Sequence, residues 1–260
     1  MDEIATQAKL SAGQVQAFYH DEFVIDQVRD FRELVGERGS EQVVDVGGGC
    51  GFFAHRLRAI GGYPTRVIDM DPTSIDQCRA LGLDAEIGDA LDPEVRGDED
   101  VICFNLILHH LVGENERKNR ALQLRALRAW HASGAMVFVN EYIYQSVIGR
   151  TSPRLIYEVT SSRALSKLGQ MASRWLPSLR ANTFNVGVRF RSHEDWLELF
   201  AEGGFRVVAK RLGEPEPVSL PRRALLIETI RRDSFLLESV HSEPYKMRSR
   251  RRRLQGATSG

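Results

Sequence analysis

Three carboxylates recur at regular spacing in the first half of the chain, each beside a short apolar segment. They are Asp45, Asp69 and Asp89. A carboxylate at the carboxyl end of a parallel strand can accept hydrogen bonds from the ribose hydroxyls of a nucleoside, and another can accept one from the exocyclic amine of adenine. Each acid taken alone is better explained as a surface residue or a helix N-cap. Their spacing predicts that all three converge on one crevice.

A glycine-rich loop follows the first of these acids. Gly47, Gly49 and Gly51 occupy alternate positions, so the backbone can turn with positive φ and a ligand can touch it without meeting a Cβ. The glycines are not followed by Lys-Ser or Lys-Thr, which argues against a phosphate-binding P-loop. Their G-x-G-x-G spacing also differs from the G-x-G-x-x-G of dinucleotide-dependent dehydrogenases.

A second group of polar residues follows the fourth and fifth predicted strands. His109 is a candidate general base, because an unperturbed imidazole titrates near neutral pH. The alternative is that His109 or His110 only shapes a pocket wall, and a structural role is favoured for His110. Glu141 could orient His109 or bind a substrate amine; the alternative is that it caps a helix or loop.

Strands and helices alternate along most of the chain, which predicts a parallel sheet with helices on both faces. The expected fold is a Rossmann-like, doubly wound α/β domain with a mostly parallel seven-stranded sheet and an antiparallel hairpin at one edge. Predicted strands are 43–46, 66–69, 85–87, 101–106, 136–143, 205–212 and 224–231, and predicted helices are 3–20, 22–36, 52–60, 72–81, 114–131 and 193–201.

The alternation breaks in one internal segment, where irregular helices predict an inserted lid. The final segment holds six Lys or Arg residues and one acid, and such charge runs are usually solvated and disordered. The predicted organisation is a helical cap at 1–40, a cofactor-binding core at 41–145, the lid at 146–192, the end of the core sheet at 193–240 and a basic tail at 241–260.

From about residue 41 to 231, the order of these motifs resembles the class I S-adenosylmethionine-dependent methyltransferases. The resemblance implies an enzyme that uses S-adenosylmethionine and releases S-adenosylhomocysteine. The glycine loop and Asp45 would then hold the methionine part of the cofactor, Asp69 the ribose, and Asp89 the adenine. The cofactor-binding set implied is Asp45, Gly47, Gly49, Gly51, Asp69, Met70, Asp89, Ala90 and Asn105.

The segment around His109 is similar to the Leu-His-Asp-Trp region of small-molecule O-methyltransferases, in which the histidine is the base. Here His110 replaces the acid and Leu111 the tryptophan. Residues 191–205 are similar to the stretch before the sixth strand of those enzymes. His109 and Glu141 are therefore the predicted catalytic residues, and the acceptor is expected to contact His110, Tyr142, Tyr157 and Arg189, with Phe190 nearby.

Several absences narrow the function. The chain has no apolar run long enough to span a bilayer, no secretory signal and no CxxC pair among its three cysteines, which favours the cytoplasm. The Asp-Asn pair of catechol-type enzymes is missing, so no metal is expected. The motifs of enzymes that methylate nucleic-acid bases are also missing. The net charge is zero overall, but the basic tail leaves residues 1–240 with a net charge of −5, so nucleic acid is disfavoured as a partner of the body.

The predicted acceptor is a small molecule methylated on an oxygen, nitrogen or carboxylate, and a homodimer is possible. Two alternatives stay open. The enzyme could act on a peptide, a protein or RNA recruited by the Arg-rich tail. The chain could also be a non-catalytic module that binds the cofactor or a partner. A dehydrogenase is a more distant alternative.

Overall fold

The computed structural model describes residues 23–36, 39–147, 188–223 and 226–240. None of the helices within these ranges is long and apolar enough to cross a lipid bilayer. The predictions that lie outside the described residues are the helix 3–20, the tail 241–260 and most of the lid, 148–187, with Tyr157.

Seven strands form one mixed sheet in the order β3-β2-β1-β4-β5-β7-β6. The first five strands pair in parallel, whereas β7 is antiparallel to both β5 and β6. This arrangement confirms the predicted mostly parallel α/β sheet with an antiparallel edge. The strands are β1 (Val43–Val46), β2 (Thr65–Asp69), β3 (Asp84–Ile87), β4 (Val101–Asn105), β5 (Met136–Ser146), β6 (Phe205–Arg211) and β7 (Ile227–Ser239).

Helices cover both faces of this sheet, as predicted. On one face α4 and α5 bury Leu127 and Trp196 in the largest apolar cluster. On the other face α1 and α2 bury Phe31 and Leu57, and α3 adds Ile75 beside β2 and β3. The helices are α1 (Val24–Val35), α2 (Phe52–Gly61), α3 (Pro72–Ala80), α4 (Glu116–Arg128), α5 (His193–Glu202) and the short α6 (Leu220–Arg223).

Side-chain caps fix where the helices near the carboxyl edge of the sheet begin. Asp71 accepts a hydrogen bond from the backbone N–H of Ser74 at 2.9 Å, and Pro72 occupies the first turn of α3. Asn115 and Ser192 cap α4 and α5 in the same way. These caps place the first turns of three helices beside the strand ends that carry the candidate site.

The last strand differs from its prediction. A strand was expected over residues 224–231, but β7 runs from Ile227 to Ser239. The run of charged and polar residues in the middle of β7 interrupts the apolar pattern from which a strand is predicted. That run pairs with β5, with Asp233 opposite Glu141, and the Asp233 side chain is completely buried against other polar groups. Internal hydrogen bonds allow this polar run to sit inside a sheet.

Candidate active site

The glycine loop leaves β1 at the carboxyl edge of the sheet. Gly47, Gly49 and Gly51 all have positive φ, at 66°, 53° and 75°. A Cβ on Gly47 would lie 1.8 Å from Cδ1 of Ile107, and one on Gly51 would lie 2.6 Å from Cδ1 of Leu83. A Cβ on Gly49 would meet no atom of the described residues within 4 Å. The two outer glycines therefore pack against protein, while Gly49 faces open space.

This difference predicts distinct effects of alanine at the first two loop glycines. Gly47→Ala should lower the free energy of unfolding by well over the ~1–2 kcal/mol that a left-handed backbone costs an L-residue, because its methyl also collides with Ile107. Gly49→Ala should lower the stability only by that backbone strain, yet it should weaken the binding of any ligand that touches the loop. Urea unfolding with and without S-adenosylhomocysteine measures both effects.

Gly62→Ala is the matched control for Gly49→Ala. Gly62 also has a left-handed φ, of 70°, and open space where its Cβ would lie, but it ends α2 away from the loop. We expect Gly62→Ala to cost similar stability and to leave stabilisation by the ligand unchanged. Equal ligand responses in the two variants would contradict a contact at Gly49.

Asp45 lies near the end of β1 with only 1% of its surface exposed. Its Oδ1 accepts a hydrogen bond from Nδ2 of Asn105, at the end of neighbouring β4, at 3.0 Å. Its Oδ2 and the Oδ1 of Asn105 are buried and accept no hydrogen bond from the described residues. Burial raises the pKa of Asp45 to about 7; the Asn105 hydrogen bond lowers it and the charge of Asp69 raises it further.

Asp69 ends β2 and supports the glycine loop. Its Oδ2 accepts a hydrogen bond from the N–H of Gly49, and its Oδ1 accepts one from the N–H of Asp71, both at 2.9 Å. Burial raises the pKa of the Asp69 carboxyl, and the two backbone donors oppose that change. One carboxylate thus ties the loop after β1 to the turn after β2.

The remaining predicted cofactor residues lie around the ends of β2 and β3. The half-buried Asp89 accepts a hydrogen bond from the N–H of Leu91 at 2.8 Å, so it stabilises its own turn. Ala90 is buried in the apolar cluster under α4 and α5. The side chain of Met70 is substantially exposed beside Asp69. The structure therefore joins Asp45 to Asn105 and Asp69 to the glycine loop by hydrogen bonds, and places Asp89 at the next strand end.

His109 and Glu141 form a buried pair. Nδ1 of His109 lies 2.7 Å from Oε2 of Glu141, whose Oε1 also accepts a hydrogen bond from the His109 N–H at 3.3 Å. The Glu141 carboxylate accepts a third hydrogen bond from the N–H of Tyr142. A carboxylate at Nδ1 fixes the ring and favours the tautomer that leaves Nε2 free to accept a proton.

Half-buried aromatic rings surround His109. Phe190 stacks on the His109 ring with centroids 4.9 Å apart, and on Tyr144 with centroids 4.3 Å apart. The Tyr142 ring packs edge-on against the His109 ring, with centroids 6.0 Å apart. Phe23, the residue before α1, packs edge-on against Tyr142, with centroids 6.5 Å apart. Tyr142 and Phe190 were predicted from the sequence to lie near the acceptor, whereas Tyr144 and Phe23 were not. The two-residue alternation of β5 was a usable signal for Tyr144.

The other predicted acceptor residues flank this wall. His110 packs beside His109 with ring centroids 4.1 Å apart. Burial is the main cause that lowers the pKa of His110 well below its ordinary range, and the charge of His109 lowers it further. Arg189 is nearly buried and pairs with Glu116 of α4. Glu116 had no sequence signal, because an acid in the first turn of a polar helix is common.

A second histidine–carboxylate pair lies farther along the sheet. Nδ1 of His193, at the start of α5, is 2.7 Å from Oδ2 of Asp233 on β7. Asp233 also accepts hydrogen bonds from Arg231, and Nζ of the exposed Lys210 lies 3.2 Å from Nε2 of His193. Because its Nε2 faces an ammonium group, this pair differs from His109 and Glu141 and serves as an internal reference for them.

The strand order, the antiparallel seventh strand and the glycine loop after β1 define the fold of class I methyltransferases. Solved structures share it. A methyltransferase of Leishmania major that depends on S-adenosylmethionine superposes with a TM-score of 0.55 at 13% identity, covering 89% of this chain and 78% of that one. The MccD protein superposes with a TM-score of 0.55 at 14% identity, covering 84% and 96%.

The O-methyltransferase NcsB1 of neocarzinostatin biosynthesis, solved with S-adenosylmethionine and 2-hydroxy-5-methyl naphthoic acid, has a TM-score of 0.51 at 16% identity. That match covers 86% of this chain but 57% of NcsB1, so the chain spans little more than half the length of this relative. No protein-family model matches the sequence, and no curated protein matches it significantly.

Proposed function

We propose that this protein is an S-adenosylmethionine-dependent methyltransferase that methylates an oxygen of a small, planar aromatic acceptor. The observation that carries the proposal is the Oδ2 of Asp45, a buried carboxylate oxygen next to the glycine loop that has no hydrogen-bond partner among the described residues. Leaving a buried carboxylate oxygen without a donor is costly, so the site is suited to a ligand with a donor or a positive charge.

The described residues fit the cofactor. Asp45 and Asn105 offer two unpaired oxygens, to which the ligand's ammonium group or a bridging water could donate. Gly49 leaves its surroundings open for the methionine part. The carboxylate of Asp69 accepts from the backbone N–H groups of Gly49, Asp71 and Met70, and a carboxylate has about four acceptor positions, so it can still accept from a ribose hydroxyl. Asp89 remains the proposed adenine partner.

The class of acceptor is proposed from the aromatic rings around His109, which we call the aromatic wall. Phe190, Tyr142 and Tyr144 present half-buried rings next to the His109 and Glu141 pair, which suits a flat, apolar ligand. The naphthoic acid bound to NcsB1 has this chemistry, and that likeness supports the same acceptor class here. Methylation of a nitrogen or of a carboxylate is the next alternative.

The proposed reaction requires the protein only to align the acceptor and to remove one proton. When bound, S-adenosylmethionine supplies an activated methyl group. Glu141 accepts a hydrogen bond from the Nδ1–H of His109, so the ring keeps that proton and Nε2 could take the proton of an acceptor hydroxyl during methyl transfer. The resulting imidazolium is stabilised by the same carboxylate. The wall formed by Phe190 orients the acceptor, since alignment of the nucleophile supplies much of the rate.

The proposed setting is cytoplasmic, with neither a metal nor a membrane involved. The three cysteines are buried free thiols, which supports a reducing compartment. Homodimer formation stays a prediction. The Arg-rich tail lies outside the described residues, so recruitment of a peptide, a protein or RNA by the tail remains an alternative.

Two experiments, carried out one after the other, test the proposed function. Calorimetry with S-adenosylhomocysteine should give saturable binding at one site per chain. Transfer from S-adenosylmethionine labelled in its methyl group should then label a hydroxylated naphthoic acid such as the ligand of NcsB1. Absence of cofactor binding overturns the whole proposal, whereas binding without transfer to any hydroxylated aromatic compound overturns the acceptor class and favours a non-catalytic module.

The pKa of about 7 at Asp45 predicts pH-dependent cofactor binding. The ionised carboxylate attracts the ammonium group, so below pH 7 a proton must leave Asp45 before the ligand binds. Affinity for S-adenosylhomocysteine should therefore fall about tenfold per pH unit below 7 and level off above it. Calorimetry at pH 6 and pH 8, in buffers of different ionisation enthalpy, should detect the released proton at pH 6.

Asp45→Asn is the control for this pH dependence. The variant keeps the shape of the side chain but cannot ionise, so its affinity should be weaker at pH 8 and nearly equal at pH 6 and pH 8. Equal affinities of the wild-type protein at the two pH values, with no proton released, would contradict an ammonium contact at Asp45.

A further inference from the structure

Four polar side chains tie the start of α4 to the aromatic wall, and we refer to them as the arginine clamp. Its members are Glu116 and Gln123 of α4 and Arg189 and Arg191 of the segment before α5. Oε1 of Glu116 accepts from Nη1 of Arg191 at 2.8 Å, and Oε2 accepts from Nε of Arg189. Oε1 of Gln123 accepts from Nη2 and Nε of Arg191 at 2.7 and 2.9 Å.

The two guanidinium groups of the clamp are largely shielded from water, whereas the carboxylate that pairs with them is half exposed. The side chains of Arg189 and Arg191 are 8% and 2% exposed, and Glu116, at 48%, is the one carboxylate that pairs with both among the described residues. Burial lowers the pKa of Arg191, while the Glu116 charge raises it. Removing the Glu116 charge would leave two guanidinium groups without compensation.

The same residues hold the turn that carries His109. The N–H of Arg189 donates to the carbonyl of His109 at 2.8 Å, and Nε2 of Gln123 donates to the carbonyl of Leu108 at 2.9 Å. The residue between the two arginines is Phe190, which stacks on the imidazole. The other end of the segment is fixed by the N–H of Tyr144, which donates to the carbonyl of Arg191 at 3.0 Å.

We infer that Glu116 is a positioning residue: through Arg189 and Arg191 it sets the ring of His109 and the stacked Phe190. The role of His109 rests on the proposed function, but the geometric coupling does not. Glu141 orients the imidazole from the sheet side, and the clamp fixes its backbone and its stacked face from the helix side. A shift of about 1 Å in such a group can cost about a hundredfold in rate.

Imidazole NMR of the full chain tests this coupling without an acceptor. In Glu116→Gln the His109 ring signals should lose the upfield shift that the stacked Phe190 gives, while the His193 signals stay in place. Affinity for S-adenosylhomocysteine should change less than twofold, because Glu116 does not contact the glycine loop. With an acceptor, kcat should fall about tenfold or more. His109→Gln and His193→Gln assign the signals.

Glu202→Gln is the matched control, since Glu202 of α5 pairs with Arg120 of α4 and has no contact with the clamp among the described residues. It should leave the His109 signals unchanged. Glu116→Asp should restore part of the shift. Should Glu116→Gln not fold, Arg189→Lys takes its place as the test of the coupling to His109. This variant keeps the positive charge but removes the guanidinium group that donates to the Phe190 carbonyl.

Unchanged His109 signals in a folded Glu116→Gln protein overturn the inference, as do equal changes at His109 and His193, which would indicate general loosening. Failure of the proposed function would look different. In that case S-adenosylhomocysteine would not bind, while the selective change at His109 would still be observed.

Discussion

Replacing Asp69 with alanine is expected to weaken the binding of S-adenosylhomocysteine by about a hundredfold or more. The carboxylate is proposed to accept a ribose hydroxyl, and a hydrogen bond to a charged group contributes about 1.5–3 kcal/mol. It also holds the N–H of Gly49 and that of Asp71, so the loop itself would lose support. Calorimetric titration of the purified variant measures the loss.

Asp76→Ala is the control for this substitution. Asp76 is an exposed acid on α3 that forms an ion pair with Arg79 at 3.4 Å. Removing an exposed charge of this kind should change neither stability nor affinity measurably. A thermal unfolding scan of Asp69→Ala should show that the variant is still folded. Affinity within about threefold of the wild-type value would refute the ribose role of Asp69.

Replacing His109 with glutamine should lower methyl transfer by about 10²–10⁴-fold, the usual contribution of a general base, with little change in cofactor affinity. Glutamine is close to histidine in size but offers no basic nitrogen to the acceptor. Glu141→Gln should lower transfer as well, because it no longer favours the tautomer with a free Nε2. Initial rates with labelled S-adenosylmethionine measure both effects.

His193→Gln is the matched control, since His193 pairs with Asp233 at the same 2.7 Å and is similarly buried. Its loss should cost stability and leave the rate per folded molecule unchanged. Two outcomes would overturn the role of His109 as a base. One is full activity of His109→Gln. The other is an equal loss of rate in His193→Gln at comparable stability.

The elements that carry the proposed cofactor-binding residues could largely be predicted from local sequence. Asp45, Asp69 and the glycines between them follow strands whose apolar runs were visible, and the carboxyl ends of parallel strands meet at one edge of the sheet. The predicted strand bounds agree with the structure to within one residue at β1, β2 and β4. The periodicity of the chain carries this information because each such element is continuous in sequence.

The acceptor half was less predictable because its contacts join distant segments. Phe190 reaches His109 from a segment after the lid, and Glu116 reaches Arg189 from the first turn of α4. The misplacement of β7 has the same origin. Its polar run, including Asp233, is stabilised by partners such as His193 that lie far away in the chain.

The sequence by itself determined that strands alternate with helices and that a glycine loop and carboxylates stand at their ends, since spacing and residue type encode both. Only the tertiary structure decided that Asp45 keeps a buried oxygen without a donor in the described part of the chain, and a pKa of about 7. It alone joined His109 to Glu141 and to the clamp on α4. Burial and ion pairing between remote segments depend on how the chain packs, and no local pattern records them.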